Sequence, residues 1–132
     1  MDARLTSLCK EMLKMSSEQA AAWLMSEYPI DSGNWSEALV LLPHRSWKKP
    51  EQKLLADYYF KNAPFSSGKG YEAFASVMSI KLMILCVKSA VPKDPARSNL
   101  MLYYLIPVLE RFAKNESDRI AINDFVYNVL AK

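Results

Sequence analysis

The only histidine of the chain is His44. It stands beside Arg45, Lys48 and Lys49, where an imidazole has the makings of a general base for metal-independent RNA cleavage, with Lys48 or Tyr59 assisting. That chemistry needs a paired acid or a second histidine, and the segment holds neither, so an interface or capping role is expected for His44. A single histidine also excludes a multi-histidine zinc or iron site, and no CxxC or HExxH occurs. The run Ser66-Ser67-Gly68-Lys69-Gly70 suggests a phosphate loop, but the required first glycine is Ala63, Gly70 replaces the following Ser or Thr, and no apolar strand precedes it. A flexible turn with a solvated Lys69 is the expected reading. Carboxylates fall mostly at helix starts or on polar faces, where capping and solvation account for them. These residues give no reason to expect a catalytic centre, a cofactor, a metal or a small-molecule substrate.

What remains is recognition. Trp and Arg are the residue types most enriched in binding hot spots, and the loop His44, Arg45, Ser46, Trp47, Lys48, Lys49 places them together between helices. Phe65 and Lys69, in the next loop, extend the candidate partner-binding set to His44, Arg45, Trp47, Lys48, Lys49, Phe65 and Lys69. Loops at opposite ends of a helix of this length lie about 20 Å apart, which argues against a single patch. Trp47 has a second reading, as a staple folded back on the following helix. The pairs Tyr58-Tyr59 and Tyr103-Tyr104 must each turn one ring toward the core and one aside, because helical neighbours are about 100° apart.

Elements to position these residues follow from apolar periodicity. Leu5, Leu8, Cys9, Met12 and Leu13 predict a helix from about Asp2 to Met15 with Asp2 as its cap. Ser16 and Gln19 form a capping-box pattern for a second helix ending at Pro29, with Ala20, Trp23, Leu24 and Tyr28 inward. Asn34 and Glu37 predict a third cap, ahead of Trp35, Ala38, Leu39 and Leu42, with Pro43 as the stop. Pro50 suits the first turn of a fourth helix, about Lys49 to Asn62, packing Leu54, Leu55 and Tyr58. The stretch from Tyr71 to Val91 is apolar nearly all round and predicts one long central helix. Asp94 and Pro95 open another to about Lys114, with Pro107 expected to kink or break it, and Ser117 or Asp118 opens the last. The expectation is an all-α, single-domain bundle over residues 1–132, of six to seven helices, with the central apolar helix near 70–91.

The composition, 51% hydrophobic and 23% charged, is that of a globular domain. Net charge is +3, unevenly spread: residues 1–42 carry three basic and six acidic groups, residues 43–93 nine and three, and residues 94–132 five and five. The middle is basic enough to steer an acidic partner but too sparse for a dedicated nucleic-acid binder, so nucleic acid is not the expected partner. Cys9 and Cys86 sit at apolar helical positions and read as core thiols of a reducing compartment. Charges scattered through the first fifteen residues argue against a signal peptide, and the longest apolar run, Leu82 to Val87, is too short to span a bilayer. A cytoplasmic protein making no membrane contact is expected.

Residues 44–83, HRSWKKPEQKLLADYYFKNAPFSSGKGYEAFASVMSIKLM, resemble small bacterial immunity proteins of contact-dependent growth inhibition systems. The resemblance covers under a third of the chain. It implies a cytoplasmic antitoxin without enzymatic activity that neutralises a cognate toxin domain, often a nuclease, by protein–protein contact. Inhibitors of nucleases are often acidic, so the contact falls either to the acidic first third or to an acidic patch of the toxin meeting residues 44–49. The alternative from charge alone is a nucleic-acid-associated regulator using residues 43–93.

Overall fold

The computed structural model describes residues 2–131. Among them are eight α-helices and no strand, which makes the fold all-helical, with one helix more than the upper end of the expected count. Helix α1 is Ala3–Leu13, α2 Ser17–Glu27, α3 Glu37–Leu41, α4 Lys49–Tyr59, α5 Lys69–Ala75, α6 Ile80–Lys88, α7 Pro95–Phe112 and α8 Glu116–Leu130. Single 3-10 turns, Leu42–His44 and Phe60–Asn62, extend α3 and α4.

Local chemistry sets the first two helix starts as expected. The Asp2 carboxylate accepts from the Leu5 amide at 2.8 Å. Ser16 Oγ accepts from Gln19 N while Gln19 Oε1 accepts from Ser16 N, both at 3.1 Å, which satisfies two amides that the helix cannot.

Elsewhere the chain departs from its periodicity. The expected central helix is two helices. At Ser76–Ser79 the backbone turns, the Ser76 hydroxyl donates to Ala73 O at 2.7 Å, and Ser79, in extended conformation, caps α6 by accepting from Leu82 N at 3.1 Å. Met78 within the break and Ile80 just after it are buried, while Ser76 and Ser79 face solvent. Asn34 makes no cap; α3 begins after Ser36 without a side-chain bond, and Glu37 instead accepts from Tyr28 Oη at 3.1 Å and Arg4 at 2.9 Å, tying α1, α2 and α3 together. On α4 the buried face is Leu55, Ala56 and Tyr59, while Leu54 is 49% exposed. That rotation puts Tyr59 Oη where it donates to Tyr28 O at 2.9 Å and Leu24 O at 3.2 Å, the open end of α2. Helix α7 runs unbroken through Pro107. The carbonyl that Pro107 leaves without an amide is that of Tyr103, a residue 71% exposed, so water can take the bond. Helix α8 is capped by Asn115, whose Oδ1 accepts from Asp118 N at 2.8 Å, two residues before the earliest expected start.

One core joins all eight helices. Helix α4 packs on α2 and α6, α5 on α7, and α6 on α8. Gly70 allows the closest approach: a Cβ there would stand 2.6 Å from the Phe65 ring and 3.0 Å from Leu39.

Candidate functional site

The loop between the Leu42–His44 turn and α4 is latched inward. Arg45 Nη1 donates to Met12 O at 2.9 Å and Met15 O at 3.0 Å, capping the carbonyl end of α1, where a cation is also favoured by the helix dipole. Its Nε donates to Ser46 O at 2.9 Å, and the guanidinium lies over the Trp47 ring, 4.8 Å from the centroid. Trp47 is 5% exposed, and its indole N–H donates to Leu42 O at 2.9 Å. Gln52 donates to Trp47 O at 2.7 Å, and Lys48 N donates to Ser17 Oγ at 3.0 Å. The strongest hot-spot types of the loop are therefore engaged in holding α1, α2 and α4 in place: of the two readings of Trp47, the geometry is that of the staple.

The second predicted loop is also internal. Phe65 is 5% exposed and sits among Trp35, Phe60 and Tyr71 at centroid distances of 5.8, 5.9 and 4.7 Å. Tyr71 Oη accepts from Phe65 N, and burial raises the Tyr71 phenol above its ordinary pKa. Of the predicted set, His44, Lys48, Lys49 and Lys69 remain exposed and Arg45 half-exposed. A shallow cleft of about 480 Å³ brings His44, Arg45 and Trp47 together with Ser46, Gln52 and Ser76; Phe65 and Lys69 do not line it. No carboxylate lines it either, Lys48 stays outside, and Tyr59 is fully buried on the carbonyl end of α2. The residues proposed for RNA cleavage are not assembled.

Neither thiol is poised for nucleophilic chemistry. Burial pushes Cys86 up to about 11, with the Asp57 carboxylate adding to it, and raises Cys9 as well. Among the described residues no group of three or more His, Cys, Asp and Glu is placed to hold a metal.

A larger groove, about 910 Å³, lies between residues 88–99 and the end of α8. Phe125, Val129, Val91 and Pro92 line it, together with Lys88 and Lys93. Sequence reasoning missed it because its walls come from separate helices, and the only signal was the pair of lysines bracketing the apolar Val91 and Pro92. Each tyrosine pair turns one ring further inward than the other, but at 58–59 the buried ring is Tyr59 and not the expected Tyr58, which is half-buried, while Tyr104 is half-buried and Tyr103 is 71% exposed.

Comparison with protein-family models, curated proteins and solved structures finds no match. No described helix is long and apolar enough to cross a membrane.

Proposed function

We propose that this chain is an immunity protein that binds and neutralises a cognate bacterial toxin domain, a nuclease acting on RNA, by direct protein contact and without catalysis of its own. The observation that carries the binding role is the outward placement of large apolar side chains on α7 and α8. Tyr103 and Tyr127 are 71% and 73% exposed, and Leu130 and Ile120 stand out with them. Tyrosine suits a contact surface because its ring supplies apolar area while its hydroxyl tolerates water before binding. The toxin as partner, and the cytoplasm as the place of action, come from the resemblance of residues 44–83.

Co-expression with the product of the open reading frame immediately upstream, followed by affinity capture, should yield a stoichiometric complex and restore growth to cells making the toxin. No complex and no protection would overturn the proposal.

One observation favours the competing reading of a nucleic-acid-associated regulator: every lysine of residues 43–93 is exposed. Two of the eight are already engaged, Lys53 with Asp57 at 2.6 Å and Lys61 over the Tyr58 ring at 5.6 Å. A gel shift that weakens steeply with salt would favour that reading, and no shift at low salt removes it.

A further inference from the structure

The groove at the end of α8 combines three properties. Its lining is largely apolar: Phe125, 1% exposed, with Val129, Val91 and Pro92, beside the polar Ser98, Asn99 and Asn128. Its walls are stiff, because Pro92 and Pro95 fix the backbone of the loop that leads into α7, so little ordering entropy is lost when something docks there. Among the described residues its charge has one sign: Lys88 and Lys93 line it and no carboxylate does. Among the described residues neither lysine takes part in an ion pair, whereas Lys53, Arg4, Arg111 and Arg119 do. The volume, about 910 Å³, accommodates several side chains.

We infer that this groove docks an acidic amphipathic segment of a partner protein, which sets an apolar side chain over Phe125 and Val129 and carboxylates against Lys88 and Lys93. A largely apolar lining gives little to a phosphate backbone, and two unpaired ammonium groups beside it select against a purely apolar or basic segment. Leu130, 65% exposed at the rim, lies where it extends the apolar contact. The inference rests on the chain being a protein-binding module, and not on the partner being a toxin.

The test titrates two short helical peptides into the isotope-labelled full chain. Both carry one leucine anchor, flanked by glutamates in one peptide and by lysines in the other. The glutamate peptide should bind at least about tenfold more tightly, as expected for rim charges of matching sign, with amide shifts confined to residues 88–99 and 125–131. The double variant Lys88→Glu/Lys93→Glu should keep its helical circular dichroism and reverse the preference. Equal binding of the two peptides, no binding at millimolar concentration, or shifts centred elsewhere would overturn the inference. So would a concentration-dependent dimer in which a second copy covers the groove, its acidic residues 1–42 being the competing occupant. If the upstream gene product forms no complex, the toxin reading falls, while these titrations still decide the groove.

Discussion

The loop 44–49 and the groove at the end of α8 invert each other. The loop holds the residue types most associated with binding, and the structure engages them internally: Arg45 caps α1, Trp47 fills the core and donates to Leu42 O, and Lys48 N is bonded to Ser17. The groove is lined by unremarked Val, Pro and Lys residues, yet it stays open with two cations outside any ion pair among the described residues. Residue type marks a side chain able to anchor something. Whether it anchors a partner or its own chain is decided by the acceptors within reach, here Met12 O and Met15 O for Arg45 and Leu42 O for Trp47.

The sharpest contrast is Trp47→Ala. A buried indole with a satisfied N–H should cost about 3–5 kcal/mol on removal, whereas substituting a protruding loop Trp costs little; urea unfolding distinguishes the two. Next is Gly70→Ala, whose Cβ meets the Phe65 ring at 2.6 Å and should destabilise by about 1–3 kcal/mol through forced repacking. Arg45→Ala should cost about 1–2 kcal/mol by leaving the Met12 and Met15 carbonyls without their charged donor, and hydrogen exchange should quicken first around the α1–α2 junction. An effect confined to partner binding, with stability unchanged, would restore the loop as an interface.

A smaller effect concerns Glu37, which the Arg4 guanidinium, above all by its hydrogen bond, holds below the usual carboxylate range. A carboxylate with a depressed folded pKa stabilises above its ordinary value of about 4.3 and loses that stability as pH falls through the folded value. Glu37→Gln should therefore flatten the acid side of the stability profile and leave the neutral-to-alkaline side unchanged in slope. The pair is well exposed, so added salt should shrink the difference. The smallest effect on stability belongs to Lys88→Glu/Lys93→Glu, expected within about 0.5 kcal/mol of the parent because both side chains are at the surface.

Much of the fold was legible because caps and periodicity agree. Asp2 and Ser16 with Gln19 mark their helices by local bonds that a sequence displays, and Pro50 marks α4 by its fixed φ in the first turn. The break at Ser76–Ser79 was not legible, because Glu72, Ser76 and Ser79 keep the spacing of one polar helix face, so the two exposed serines fit a continuous helix as well as a turn. The rotation of α4 that exposes Leu54 was hidden for a different reason: the carbonyls that Tyr59 satisfies belong to α2, more than thirty residues away. At the start of α8, Asn115, Ser117 and Asp118 are all competent caps, and propensity alone does not choose among them. The candidate site was legible only as a list of residue types. Burial turned Trp47 and Phe65 inward, and the groove exists only once α6, α7 and α8 pack.

The most direct measurement pits the two regions against each other in a toxin-neutralisation assay, with paired charge reversals at Lys88/Lys93 and at Lys48/Lys49. The groove pair should lose complex formation and protection while the loop pair keeps both, each variant remaining cooperatively folded. Retained protection by the groove variant, with loss in the loop variant, would contradict the groove as the docking site.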